Sequence, residues 1–179
     1  MLSGFNDTIK DVENIYNHFG VPTLGNIFRW GNKNDEHEVF THTDPSSSYS
    51  ESFRHIRANF QFATATKQPP LYLITSPGPG EGKSTIISNL GASLAQNGKK
   101  VIIIDADLRK PSIAKRFDIP VFHPGLSNLI IGTEQFSECV HVDGQSGVAI
   151  MPSGQIPGSP LELLSSSRFN EVLDVLKSK

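Results

Sequence analysis

Two clusters in this 179-residue chain have the residue types and spacing for chemistry on a phosphate. The first is Pro77-Gly78-Pro79-Gly80-Glu81-Gly82-Lys83-Ser84-Thr85. Its Gly/Pro half can be neither strand nor helix interior, and a helix restarts at Gly82-Lys83-Ser84-Thr85. A turn between a strand and a helix N-terminus points several backbone N–H groups into one concavity. The helix dipole adds roughly half a positive charge there, which suits an anion. Lys83 supplies a full charge for outer phosphates, and the Ser84 hydroxyl is placed to hold Mg²⁺. The general phosphate-loop pattern has Gly six residues before the Lys, and here that position is Pro77. The bland alternative is a Gly/Pro turn before an ordinary helix. The second cluster is Asp105-Ala106-Asp107-Leu108-Arg109-Lys110-Pro111. Residues two apart at a strand end point to one side, so Asp105 and Asp107 can converge. Such a pair can order metal-bound water and take the proton of an incoming hydroxyl. Its bland alternative is helix capping and loop solvation.

The elements around these clusters must place them on one edge. Leu71–Ile74 reads as a buried strand leading into the loop, and Lys83–Asn97 as the helix leaving it, with Ile86, Ile87, Leu90 and Leu94 inward. Asn97-Gly98 is a left-handed stop. Val101–Ile104 is wholly apolar, as in a parallel sheet covered on both faces. This β-α-β run implies a right-handed crossover, and ligands of such sheets sit beyond the carboxyl ends of the strands. Val148–Met151 is a third buried strand, running into Pro152-Ser153-Gly154, a turn that can approach the nucleotide. Between them lie a short helical turn at Ser112–Phe117, a helix at Leu126–Ile131 stopped by Gly132, and a candidate helix at Thr133–Val140. Ser159-Pro160-Leu161-Glu162 matches a capping box with proline at N1, opening a last helix with Phe169, Val172, Leu173 and Leu176 on one face.

The N-terminal part is organised differently. Asp7–Phe19 carries Ile9, Val12, Ile15, Tyr16 and Phe19 at helical spacing, with Gly20 as its stop. Residues 29–50 are polar and read as a mobile linker. From Ser50, Phe53, Ile56 and Phe60 mark a buried helical stripe, with Glu51, Arg54 and Arg57 at three-residue intervals beside it. That trio is either a solvated face or a partner surface, since Arg forks suit interfaces.

Composition narrows the classes. A net charge of −2 gives no electrostatic reason to expect nucleic acid as a partner. The single cysteine, Cys139, excludes an internal disulfide framework and reads as a small buried hydrophobe. The six histidines show no metal-ligand spacing. No apolar run approaches the roughly 18–20 residues of a transmembrane helix.

The chain resembles the bacterial tyrosine autokinases of capsule and exopolysaccharide synthesis, which belong to the polysaccharide chain-length-determinant (co-polymerase) proteins. Three motifs carry the resemblance: the loop Ile74–Ser84 with its P-G-E-G-K-S ending, the apolar triplet Ile102-Ile103-Ile104 followed by Asp105-Ala106-Asp107-Leu108-Arg109, and Glu51-x-x-Arg54-x-x-Arg57. It implies an α/β fold of the P-loop NTPase type, a Rossmann-like three-layer parallel sheet flanked by helices. It implies ATP and Mg²⁺ as cofactors, with Gly78, Pro79, Gly80, Glu81, Gly82, Lys83, Ser84 and Thr85 around the nucleotide. Lys83 would bind the outer phosphates, Ser84 the Mg²⁺ and Thr85 an inner phosphate. Asp105 would be the base toward a tyrosine hydroxyl, and Asp107 would act on the metal. Glu51, Arg54 and Arg57 would assemble a ring of identical subunits, which tips their reading toward an interface. The implied partners are the chain's own copies and a transmembrane co-polymerase segment or subunit. The implied location is the cytoplasmic face of the bacterial inner or plasma membrane. The implied division is a juxtamembrane-like segment 1–28, a linker 29–50 and a tyrosine-kinase domain 51–179.

Two family features have no counterpart here: a third motif, an apolar triplet followed by D-x-x-P that supplies a central strand and a metal-side Asp, and a tyrosine-rich tail. The chain is therefore expected to be part of a longer protein. Two other functions compete. A partitioning-type ATPase with a deviant phosphate loop shares this fold but carries a signature lysine where Gly78 stands. A non-catalytic nucleotide-binding or assembly module of the polysaccharide machinery would need no third motif.

Overall fold

The run Ile102–Ile104 forms strand β1 and pairs in parallel with β3, Ala149–Met151, in the register Ile102 to Ala149, Ile103 to Ile150 and Ile104 to Met151. The ladder continues past both ends, with Ala149 N–H donating to Val101 O at 3.0 Å and Asp105 N–H to Met151 O at 2.9 Å. Strand β2, His141–Val142, pairs antiparallel to the other edge of β3. The sheet order is thus β1-β3-β2, and the sheet is mixed, where a wholly parallel one was expected. The turn between β2 and β3 explains this. Asp143 accepts from Ser146 N–H and Oγ at 2.7 and 2.6 Å, closing a loop too short for a parallel crossover. This computed structural model describes residues 12–27, 39–66 and 71–177.

Helices cover both faces, as the unbroken apolar strands require. On one face Ile103, Val148 and Ile150 pack with Ala92, Ile113, Phe117 and Ile119. On the other, Met151 with Ile102 and Ile104 meets Leu108, Leu126, Ile130, Cys139 and Val172. The first face is served by α4, Lys83–Gln96, and the short α5, Ile113–Arg116. Small buried residues on α4 let it close on the sheet. A Cβ at Gly91 would stand 2.6 Å from Ile103 Cδ1. The second face is served by α6, Leu126–Ile131, and α8, Ser167–Lys177, which follows α7, Pro160–Leu164. Ser166 caps α8, its Oγ accepting from Phe169 N–H at 3.2 Å. Ser159 makes no side-chain cap bond, so the expected capping box is not formed. Thr133–Val140 is a pair of turns in which Cys139 N–H bonds Gln135 and Phe136 carbonyls, in place of the candidate helix.

Helix α3, Ser48–Thr64, lies against α4 and carries the expected stripe, with Phe53 and Ile56 buried. Its N-cap is Ser47, whose Oγ accepts from Ser50 N–H at 3.2 Å. The expected linker is corrected where it is described. Phe40–Thr43 forms a helical turn, α2, Val39 is 4% exposed within the sheet core, and Thr41 N–H reaches Asn89 Oδ1. A polar stretch with one well-placed apolar residue is held once that residue finds the core. Residues 29–38 lie outside the described residues. Helix α1, Val12–Phe19, ends before Gly20 as expected, but two of its apolar positions, Tyr16 and Phe19, are exposed. The part of that expected helix before Val12 lies outside the described residues. Leu24 and Ile27 do pack against the Ile56–Leu90–Leu94 cluster.

The largest departure concerns Leu71–Ile74. The segment is not part of the sheet, and Leu73 is 87% exposed. Only Ile74 joins the α3–α4 cluster, while Tyr72 meets Phe60 edge-on at 4.7 Å. Apolar residues make a strand only where backbone N–H and C=O groups find a ladder partner. Among the described residues no strand lies beside this one, and β1 pairs only with β3.

Candidate functional site

The phosphate loop is shaped by its glycines. Gly80 and Gly82 hold φ at 76° and 87°, values at which a Cβ is strained. They turn the chain so that α4 begins at Lys83, its first helical bond running from Ile86 N–H to Gly82 O at 2.9 Å. Ser76 Oγ donates to Gly78 O at 2.8 Å, tightening the turn around Pro77. A Cβ at Gly78 would lie 2.9 Å from Glu81 Oε1, so the loop folds closely on itself. Lys83, Ser84 and Thr85 are half-buried in the first turn of a 14-residue helix, where orphan N–H groups and the dipole favour an anion. The Lys83 ammonium pairs with no carboxylate among the described residues.

The two acids sit at the C-terminal end of β1 and are used differently. Asp105 is 5% exposed. Its Oδ1 accepts from Asp107 N–H at 3.1 Å, and its Oδ2 from Ser112 N–H and Ile113 N–H, both at 3.0 Å. Burial pushes its pKa up, against the lowering effect of these three bonds. Asp107 is exposed, and its Oδ1 accepts from Arg109 and Lys110 N–H at 3.3 and 3.0 Å. The two carboxylates interact, and each is held by different partners. Asp105 turns inward to cap α5, and Asp107 braces its own loop at the surface. The alternative given above is present in both its forms, helix capping by Asp105 and a loop tie by Asp107. A carboxylate offers about four acceptor positions, which leaves capacity on each.

What joins the two motifs is a residue the sequence did not single out. Ser112 Oγ donates to Ser84 Oγ at 2.6 Å. The Ser84 hydroxyl and the Asp107 carboxylate are oxygen donors of the hard type that suits Mg²⁺ held together with phosphates. A serine after Pro111 could be read as a helix cap, but nothing local in the sequence shows that it reaches across to the phosphate loop.

Pro152-Ser153-Gly154 locks into the start of α6. Pro152 O and Ser153 O accept from Leu126 and Ser127 N–H at 2.8 and 2.9 Å, and Asn128 Oδ1 accepts from Gly125 and Gln155 N–H. Gly125 is obligatory there, since a Cβ would stand 2.0 Å from Pro152 O.

On α3, Glu51 and Arg54 form an exposed ion pair that holds the Glu51 carboxyl below its usual range, and Arg54 Nη1 also donates to Pro45 O at 2.9 Å. Arg57 points the other way, its Nη1 donating to Ser93 O on α4 at 3.2 Å. The trio thus divides: two residues face out, and one holds the helix pair together. A cleft of about 340 Å³ beside them is lined by Gly25, Asn26, Glu51, Ser52, His55 and Asn59, and no phosphate-loop residue reaches it.

The profile of the CobQ/CobB/MinD/ParA nucleotide binding domain matches residues 72–177, more than half of the chain. The chain belongs to that nucleotide-binding family. Within the family its relatives are bacterial tyrosine kinases. It is 39% identical over 137 residues to the tyrosine-protein kinase YwqD of Bacillus subtilis, a match covering 76% of this chain and 57% of that protein. The solved kinase domain of VpsO is 41% identical, with a TM-score of 0.60, over 74% of this chain and 68% of that one. The solved BceF tyrosine kinase domain is 28% identical, with a TM-score of 0.83, over 95% and 72%. The α/β P-loop architecture is the one these relatives share. The chain spans about three-fifths of YwqD and of the putative kinase CapB of Staphylococcus aureus, and less than a fifth of longer relatives such as the kinase ptk of Acinetobacter johnsonii. Among the described residues no helix is long and apolar enough to cross a membrane.

Proposed function

We propose that this chain is the nucleotide-binding part of an ATP-dependent protein-tyrosine autokinase that regulates capsular or exopolysaccharide chain length, polymerisation and export. The observation that carries the reading is the joining of the phosphate loop to the D-x-D loop through Ser84 and Ser112, in a chain related to tyrosine kinases. Lys83 and the N–H groups opening α4 hold the outer phosphates of ATP, and Thr85 an inner one. Mg²⁺, held by Ser84 and Asp107, would neutralise charge on the phosphates. A tyrosine oxygen attacks the terminal phosphorus, the bond to ADP breaks, and the tyrosine proton passes to a carboxylate.

Asp105 is the base in this reading, and its burial raises its proton affinity in the required direction. A second assignment exchanges the two acids. It is favoured by the three N–H groups that hold Asp105 inward while Asp107 stands exposed. Loss of phosphotyrosine in Asp107→Asn with retention in Asp105→Asn would select the exchange.

We place residues 1–28 as a juxtamembrane-like segment and assign the chain to the cytoplasmic face of the membrane. There it works with a transmembrane co-polymerase partner and with its own copies through Glu51 and Arg54. Arg57 supports that face from within. In this reading the kinase domain of residues 51–179 also takes in Val39, which packs in the core beside Ala92 and Ile103. No nucleic acid is expected as a partner. A non-catalytic assembly module is the competing function, and the unpaired Leu71–Ile74 segment favours it. Mass spectrometry after incubation with Mg·ATP tests the choice. Phosphotyrosine that disappears in Lys83→Met establishes the kinase. Nucleotide binding with no phosphotyrosine establishes the module.

A further inference from the structure

Ser112 meets the two motifs through two different groups. Its hydroxyl donates to Ser84 Oγ at 2.6 Å, across 28 residues of sequence, and its backbone N–H donates to Asp105 Oδ2 at 3.0 Å. The neighbouring Ile113 N–H holds the same carboxylate oxygen at 3.0 Å, so the Ser112 backbone is fixed whatever its side chain does. The hydroxyl pair is half-buried. Each hydroxyl is one donor and two acceptors, so the bond between them can run in either direction. A Ser84 oxygen that ligates a cation keeps a proton to donate, and Ser112 Oγ is an acceptor already at hydrogen-bond distance.

We propose that Ser112 is a positioning residue for the metal-bound nucleotide: it holds the Ser84 hydroxyl in place and accepts a hydrogen bond from it when the Ser84 oxygen serves as a metal ligand. The inference rests on the nucleotide reading above and deepens it. Because Ser112 also anchors Asp105, the metal-binding hydroxyl and the buried acid keep a fixed relation through one residue.

The test is the affinity of the 179-residue chain for a fluorescent ADP, measured with excess EDTA and with excess Mg²⁺. The ratio of the two affinities is the readout. Ser112→Ala removes the hydroxyl and leaves the N–H on Asp105, and it should shrink the Mg²⁺-dependent gain roughly two- to ten-fold, the effect of one hydrogen bond. Ser112→Thr should restore the gain. In a Ser84→Ala background, Ser112→Ala should change the ratio no further. An unchanged or larger ratio in Ser112→Ala overturns the inference, as does an equal fall in both affinities, which marks a merely structural role. A wild-type chain that binds ADP with no gain from Mg²⁺ also overturns it, while leaving nucleotide binding intact. A wild-type chain that binds no ADP in either condition overturns the nucleotide reading itself.

Discussion

Two junctions lead into the loops of the candidate site, and they are built in different ways. At Ile104–Asp105 the backbone is laddered to β3, the side chains enter cores on both faces, and the loop beyond is tied down by Asp105 and Asp107. At Ile74–Thr75 the incoming segment has no ladder, Leu73 lies in solvent, and the loop is held from its far side by α4. A phosphate loop here takes its position from the helix it opens and from Ser112, and hardly from the strand expected to feed it. The half of the site that carries the acids is accordingly the rigid half.

Hydrogen exchange breaks or sharpens this contrast most directly. Amides of Asp105 and Ala149 donate within the sheet and should be protected at least about a thousandfold more than those of Leu73 and Ile74. Equal protection would mean that the segment before the loop is laddered after all. Next in size, Gly125→Ala forces a Cβ to within 2.0 Å of Pro152 O on the rigid side and should cost about 3 kcal/mol in chemical denaturation. A smaller pair of substitutions compares the junctions with each other. Ile103→Val, in the core, should cost about 1 kcal/mol. Leu73→Ala, in solvent, should stay within about 0.5 kcal/mol. Comparable losses in the two would erase the distinction.

The smallest effect uses Cys139, which is fully buried beside Met151 and Leu108. Burial pushes its thiol up to about 11 from an ordinary value of 9.0. The folded chain at pH 8 should therefore resist iodoacetamide, with labelling tracking unfolding in urea. The unfolded thiol ionises near pH 9 and the folded one near 11. Its contribution to stability is thus complete below pH 9 and is lost as pH rises through 11. Cys139→Ser should flatten that slope, and rapid native-state labelling at pH 8 would show that this face opens readily.

Much of the site was legible because its information is local. Gly80, Gly82, Lys83 and Ser84 specify a turn and a helix start by φ and charge alone, and the Ile102–Ile104 run before Asp105 specifies a covered strand end. Other features were not legible because they depend on partners remote in sequence. Leu71–Ile74 has strand composition, yet composition cannot supply a ladder. Tyr16 and Phe19 have helical spacing, yet spacing cannot supply a surface to cover them. Val39 sits in a polar stretch, and only its packing with Ala92 of α4 and Ile103 of the sheet turns it into core.

The sequence alone determined the phosphate-binding turn and the acidic strand end, each encoded in fewer than a dozen consecutive residues, and the order of these motifs along the chain pointed to the family. Only the tertiary structure decided how those pieces are joined. The Ser84–Ser112 hydrogen bond, the inward turn of Asp105, the direction of Arg57 and the exposure of Leu73 follow from which backbone groups find partners across the fold. That pairing is a property of the packed chain as a whole.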